Sequence, residues 1–124
     1  MLVLHCAIGE SIHAGDTIRI HVTGRHQHEQ YLFVEAAWGQ PLGAVPGFHA
    51  SAPCDFGWNA HVLALRDGES FDVGPVFVRL EDLRASASVA PPIREVRLHL
   101  HASETLQFTH NSRVRSTRPR LKAG

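Results

Sequence analysis

Long apolar runs are missing from this chain of 124 residues. No run approaches the roughly 18 residues that cross a membrane as a helix, so we expect no membrane-spanning segment. The first residues, Met1 to Leu4, carry no basic region before their apolar stretch, so a secretory signal peptide is not expected either. These absences predict a cytoplasmic protein with no membrane partner.

Cysteine is scarce: Cys6 and Cys54 are the only two, and neither belongs to a CxxC motif. In a chain that is not secreted, such isolated thiols favour reduced core residues over a disulfide or a metal site. Cys6 stands in an apolar stretch, where a small soft side chain packs well.

Catalytic motifs are also absent. The chain has no GxSxG, Walker or dinucleotide-binding pattern around Ser11, Ser70 or any other residue. Glu10 and Glu69 stand at equivalent turns, and holding those turns explains them better than a catalytic carboxylate pair does. We therefore predict no enzyme, no catalytic residue and no cofactor.

The net charge of zero hides an asymmetry. Five basic residues lie in the last twelve with no acid among them, which leaves residues 1–112 with a net charge of about −5. Segment 113–124 is predicted to be a basic, flexible tail, and such a tail attracts phosphate. The basic residues of the tail are Arg113, Arg115, Arg118, Arg120 and Lys122.

Alternating patterns predict an all-β protein with little helix. Ile18, Ile20 and Val22 fall on one face of a strand at 17–23, with polar residues between them. The same alternation recurs at 94–101, while the nearly continuous apolar run at 31–37 predicts a strand buried on both faces. Further strands are predicted at 2–8, 61–65, 75–80 and 106–110, and 81–87 is compatible with a short helix.

An internal repeat relates the two halves of the chain at an offset of 59 residues. The shared glycines suit tight turns, because glycine adopts positive φ freely. After the second glycine the pattern slips by one position, so the alignment needs a gap. The matched pairs are Leu4 with Leu63, Gly9 with Gly68, Glu10 with Glu69, Ser11 with Ser70, and Gly15 with Gly74.

Glycine, proline and aromatic residues punctuate the segment between the copies. We divide the chain into a first copy at 1–38, a linker at 39–60, a second copy at 61–112 and the tail at 113–124. The aromatic residues predict a linker that packs onto the body instead of a free tether. They are Trp38, Phe48, Phe56 and Trp58.

The strand, Gly-Glu turn, Gly-Asp turn and alternating strand of residues 1–24 resemble the opening of the carbon storage regulator (CsrA/RsmA) family. The block 95–104, with the strand that follows it, resembles a later part of the same family. About two thirds of the chain shares the resemblance, and 39–60 and 113–124 fall outside it. In that family two chains interleave their strands in a dimer, so the resemblance implies a pseudo-dimer of two β-meander copies built from one chain.

The resemblance also implies a function, which is binding of messenger RNA with GGA motifs to regulate translation. Family arginines in strand one, and one that ends the fifth strand of the partner, contact the RNA. Here the first copy has His5-Cys6-Ala7 at those strand-one positions, the second keeps Arg66, and His110 replaces the last arginine, with Ala44 at its counterpart. The expected partner is an mRNA 5′ leader or a small RNA. The expected RNA-binding residues are His5, Arg66, His110, Arg113, Arg115 and Arg118.

Two other functions remain open. A divergent module that lost RNA recognition and binds a protein partner fits the acidic body and the aromatic linker. A His-rich metal protein or cupin-like β-barrel fits the ten histidines, but the pairs His26/His28 and His99/His101 lack a third ligand in the sequence, so no metal site is predicted. Association of two chains as a homodimer is also left open.

Overall fold

The structure is a computed structural model that describes residues 1–83, 95–103 and 105–111. It confirms the all-β fold, with ten strands and one short 3₁₀ turn, Asp55–Gly57, in the described residues. No helix in this part of the chain is long and apolar enough to span a membrane. The strands are β1 Leu2–Ala7, β2 Ser11–Ala14, β3 Ile18–His26, β4 Glu29–Ala37, β5 His49–Pro53, β6 Trp58–Leu65, β7 Ser70–Val73, β8 Val76–Glu81, β9 Glu95–Ala102 and β10 Phe108–Asn111.

Two antiparallel sheets share one hydrophobic core. The smaller sheet has the strand order β1-β9-β8-β7, and the larger has the order β10-β2-β3-β4-β6-β5. Alternation along β3 and β9 turns Ile20 and Leu98 inward, and both are fully buried in the same core cluster. The prediction of a strand buried on both faces was wrong for β4, because its residues alternate between buried and half-buried positions.

The two halves repeat the same turn, bond for bond. The Glu10 N–H donates to the Ala7 carbonyl at 3.0 Å, and the Glu69 N–H donates to the Arg66 carbonyl at 3.0 Å. In each turn the glutamate side chain closes the loop, since its Oε1 accepts from the N–H of Ala7 at 3.1 Å or of Arg66 at 2.8 Å. The structure thus supports the turn-holding interpretation of both glutamates.

The glycines of the repeat are also equivalent. Gly9 has φ +94° and Gly68 has φ +85°. Residues that carry a Cβ rarely adopt this backbone conformation. The Gly9 N–H donates to the Val22 carbonyl and the Gly68 N–H to the Leu80 carbonyl, each at 2.8 Å. Val22 and Leu80 are one residue closer in sequence than Gly9 and Gly68 are. This difference matches the gap that the sequence alignment needs.

Each sheet is assembled from both halves of the chain. The first strand of each half pairs with the fourth strand of the other half: β1 with β9, and β6 with β4. The last strand, β10, pairs with β2 of the first half. An isolated bridge between Leu42 and Val73 occupies the position in the second half that the Phe108–Ala14 pair occupies in the first. The halves therefore exchange their first strands and the segments that follow their fourth strands.

Segment 39–60 contains β5, the 3₁₀ turn and the start of β6. Backbone hydrogen bonds of β5 to β6 hold the segment on the sheet, but its aromatic rings do not pack inward as predicted. Only Trp58 is partly covered, by Arg19, whose Cζ lies 4.5 Å from the ring centroid. Phe48 is 62% exposed and Phe56 98% exposed, and Trp38, just before the segment, is 83% exposed.

Two predictions fall largely outside the described residues. Of the possible helix at 81–87, Glu81 ends β8, and residues 84–87 are not described. The basic tail at 113–124 is not described either.

Candidate functional site

Three chemically capable side chains meet where the exchanged last strand reaches the first turn. Cys6 lies near the end of β1, Glu10 lies in the turn after it, and His110 lies in β10 opposite Ile12 of β2. His110 Nε2 is 2.9 Å from Glu10 Oε1 and 3.6 Å from Cys6 Sγ. The three potential ligand atoms lie within 4.8 Å of one another.

The site is covered on one side and open on the other. Alternation in β1 directs Cys6 into the core, where it is fully buried. The Glu10 side chain is 9% exposed and the His110 side chain 30% exposed. Solvent therefore reaches the cluster past the imidazole.

The geometry does not support a nucleophilic relay. In a catalytic Cys-His-acid arrangement one ring nitrogen faces the thiol and the other faces the acid. Here the same atom, Nε2 of His110, lies near both Cys6 and Glu10, so the acid does not orient the imidazole toward the thiol. The sulfur, nitrogen and oxygen atoms all lie within 4.8 Å of one another. This arrangement suits coordination of a metal ion better than proton transfer along a chain of residues.

His5 belongs to a different surface. It neighbours Cys6 in β1, but it points to the outer face of the smaller sheet, where Arg97 Nε donates to His5 Nε2 at 3.2 Å. Arg97 also contacts Glu81, and Glu81 contacts His99 Nε2 at 2.9 Å. The structure thus places His5 in a polar network beside the cluster, on the opposite face of the strand.

Glu81 is the acid of that network. The hydrogen bond from His99 is the largest cause that lowers the pKa of Glu81; desolvation opposes it, and the charge and hydrogen bond of Arg97 add smaller lowering effects. The carboxylate is therefore ionised in the neutral range and offsets the positive charge of Arg97.

Arg66 occupies the position in the second half that Ala7 occupies in the first. Its side chain is 67% exposed, and its Nε lies 3.8 Å from Glu29 Oε2. The neighbouring strand edge is covered by the chain itself, since the Ala64 N–H donates to the Phe48 carbonyl at 3.1 Å and β5 pairs with β6 beyond it. The two related places in the fold are therefore unequal.

The remaining predicted contacts, Arg113, Arg115 and Arg118, lie outside the described residues. In sequence they follow directly after β10, which ends at Asn111. Of the three predicted RNA-binding residues that the structure describes, only His110 lies in the cluster.

Of the two cysteines, only Cys6 matches the prediction of a buried thiol. Cys54 is exposed, and neither thiol is in a disulfide. Cys54 lies just before the 3₁₀ turn, away from the inward-facing positions of any strand, so the core prediction was wrong for it.

Sequence reasoning did not identify Cys6 and Glu10 as site residues. Cys6 and His110 are 104 positions apart, and no spacing rule relates residues so distant. One signal was present: at the equivalent positions of the other half stand Leu65 and Ala44. The cysteine and the histidine are thus both departures from the repeat.

Comparisons with protein-family models, with curated proteins and with solved structures found no match for this chain.

Proposed function

We propose that this chain is an RNA-binding post-transcriptional regulator that acts on mRNA leaders with GGA motifs. One observation carries the proposal: the exchange of strands brings the end of β1 and the end of β10 to one place in the fold. Cys6 Sγ and His110 Nε2, from those two strands, are 3.6 Å apart. In the family that the sequence resembles, RNA contacts come from strand one of one copy and the last strand of the other.

The asymmetry of the fold favours one RNA site per chain. In the first half, β1 is an edge strand of its sheet. In the second half, the corresponding edge of β6 is covered by β5. The site at β1 and β10 therefore has the more accessible edge among the described residues.

Charge favours the same place. The arginines of the tail follow β10 closely in sequence, the first of them three residues after His110. Residues 1–112 are acidic overall, so the tail supplies most of the attraction to phosphate, and binding should weaken steeply with salt.

The test is a fluorescence-anisotropy titration of a short hairpin RNA with a GGA loop, beside a hairpin with a scrambled loop, at low and physiological salt. We expect tighter binding of the GGA hairpin at both salt concentrations. Truncation after Ser112 should weaken binding of both hairpins by tenfold or more, because about three to five phosphate contacts are lost.

Two single variants separate the strand-end site from general charge. His110→Ala should reduce the preference for the GGA loop, whereas His28→Ala, at an exposed turn, should leave it unchanged. If both hairpins bind equally at low salt and neither binds at physiological salt, the tail attracts phosphate only nonspecifically. Absence of binding to either hairpin would exclude the proposal.

The exposed aromatic rings favour a second candidate, a module that has lost RNA recognition and binds a protein partner. Large aromatics are enriched at the cores of protein interfaces, and Trp38, Phe48 and Phe56 are all mostly exposed. A partner bound here should be recovered by the wild-type chain and lost by a Phe48→Ser/Phe56→Ser variant of unchanged circular dichroism. Equal recovery by both would exclude this surface.

A further inference from the structure

We propose that Cys6, Glu10 and His110 form a binding site for one zinc ion. The site goes beyond RNA binding and does not depend on it. It is the one group of three potential ligands found among the described residues, and its donors are a thiol, a carboxylate and an imidazole. Zinc binds these three groups together, whereas magnesium and calcium require oxygen ligands.

The spacing of the donors fits a tetrahedral ion. With ordinary zinc–ligand lengths, two ligand atoms of a tetrahedron lie about 3.4–3.6 Å apart. The Cys6–His110 distance of 3.6 Å already has that value, and the Glu10–His110 distance of 2.9 Å is that of a hydrogen bond. If the partly exposed imidazole moves away from Glu10 by about half an ångström, the two atoms reach the separation of two ligands of one ion.

Comparison of the two halves argues that the site is more than a consequence of the fold. Glu69 makes the same turn as Glu10, so the carboxylate is explained by the turn alone. The positions equivalent to Cys6 and His110 hold Leu65 and Ala44 in the other half, which have no ligand atoms. The same backbone framework thus carries a full ligand set in only one half.

The chemistry of binding is a proton exchange. The thiol of Cys6 must lose its proton to ligate, and the imidazole of His110 must bind through Nε2 with its proton on Nδ1. One proton is released from the thiol for each ion bound. Three protein ligands leave a fourth position for water on the side of His110, where the site is exposed.

The position of the site predicts its effect. Its ligands come from β1, from the turn after it and from β10, so an ion would fasten the exchanged last strand to the first half. Binding to the folded state alone raises thermal stability by mass action. We expect zinc in excess to raise the Tm of the full chain by about 5 °C or more, and a chelator to reverse the rise.

The decisive experiment is titration of the reduced, tag-free full chain with Zn²⁺ in competition with a chromophoric chelator, and with Co²⁺ followed by absorption. We expect one tight equivalent per chain and a thiolate-to-cobalt charge-transfer band. His110→Ala should weaken the tight equivalent by tenfold or more, and Cys6→Ala should abolish the charge-transfer band.

Matched controls use the other members of the same residue types. Cys54→Ala removes the exposed thiol, and His99→Ala removes a histidine that also lies 2.9 Å from a glutamate but near no thiol. Both should keep the tight equivalent and the band. If Cys6→Ala does not fold, the band in the wild-type chain and the tenfold weaker binding of His110→Ala decide the question.

The proposal is overturned if the wild-type chain binds less than one tight equivalent. It is overturned equally if the cobalt spectrum lacks the charge-transfer band, or if the control variants lose affinity as much as His110→Ala does.

Discussion

His61 is a buried histidine that is only half satisfied. Its Nδ1 lies 2.7 Å from Ser51 Oγ, but its buried Nε2 has no hydrogen-bond partner among the residues that the structure describes. Desolvation by burial is the main cause that lowers the pKa of His61, and the charge of His49 adds to it. The folded protein therefore holds this imidazole in its neutral form.

This lowered pKa predicts a loss of stability in mild acid. At pH values between the ordinary pKa of about 6.5 and the lower pKa of the folded state, the unfolded chain binds a proton that the folded chain does not. The free energy of unfolding therefore decreases as the pH is lowered through this range. His61→Asn, which keeps a polar group for Ser51, should show a smaller fall in Tm from pH 7.5 to 5.5. His28→Asn, at an exposed turn, should fall as the wild type does. Parallel falls in all three proteins would contradict the assignment.

Gly68 shows how a single residue fixes a turn of the repeat. Its φ of +85° lies in the left-handed region, although nothing within 4 Å would meet an added Cβ. The cost of a side chain there is thus conformational alone. Gly68→Ala should lower the free energy of unfolding by about 1–2 kcal/mol.

Gly24 is the matched control for this substitution. It also has open space around its Cβ position, but its φ is outside the left-handed region. Gly24→Ala should change stability by less than about 0.5 kcal/mol. If urea unfolding shows equal losses of stability for the two substitutions, the positive φ of Gly68 is not the cause of the loss.

At the scale of elements, an ion pair ties the end of β3 to the residue that follows β8. Arg25 Nη1 donates to Asp82 Oδ2, and the exposed fractions are 21% for the arginine and 1% for the aspartate. The Asp82 N–H also donates to Asp67 Oδ1 at 2.8 Å. The pair thus joins the larger sheet to the smaller one.

Removal of one partner should be costly because the other stays buried. Arg25→Leu should lower the free energy of unfolding by about 2–4 kcal/mol, near the range for buried pairs. Arg66→Leu breaks an exposed pair with Glu29 and should cost less than about 1 kcal/mol.

A double-mutant cycle completes this test. In the double variant Arg25→Leu/Asp82→Asn the cost should be smaller than the sum of the two single costs, because each single change already removes the interaction between the two side chains. Additive costs in urea unfolding would show that the two side chains do not stabilise each other.

The elements differ in how far the sequence could predict them. Strong alternation predicted β3 and β9, and the shared Gly-Glu motifs predicted two equivalent turns. The strands β2 and β7 were not predicted as separate strands, because four residues between two turns are too few to show a period. No apolar pattern marks β5, whose residues are all exposed and which is held by backbone pairing with β6 and by the hydrogen bond between Ser51 and His61.

The candidate site was less predictable than the strands. Sequence reasoning selected His110 through a resemblance, but it assigned Cys6 to the core and Glu10 to a turn. Both assignments agree with the structure, and both residues nevertheless belong to the cluster. Their contact with His110 depends on the pairing of β10 with β2, which periodicity cannot specify.

At the scale of the whole molecule, the exchange of strands builds each sheet from both halves of the chain. The smaller sheet contains β1 from the first half, and the larger sheet contains β6 and β10 from the second. One core cluster joins the buried residues of both sheets. Neither half of the chain can complete a sheet without the other.

This arrangement predicts a single unfolding transition. Trp58 in β6 and Trp38 just after β4 report on the larger sheet, while circular dichroism reports on all strands. Urea unfolding should give the same midpoint by fluorescence and by circular dichroism. Leu98→Ala, in the core of the smaller sheet, should cost about 2–5 kcal/mol and shift both signals equally with an unchanged m-value.

A fluorescence midpoint that stays in place while the dichroism signal splits into two transitions would show that the sheets unfold separately. In that case the exchanged strands would not couple the halves, and a contact between the ends of β1 and β10 could open without unfolding the rest.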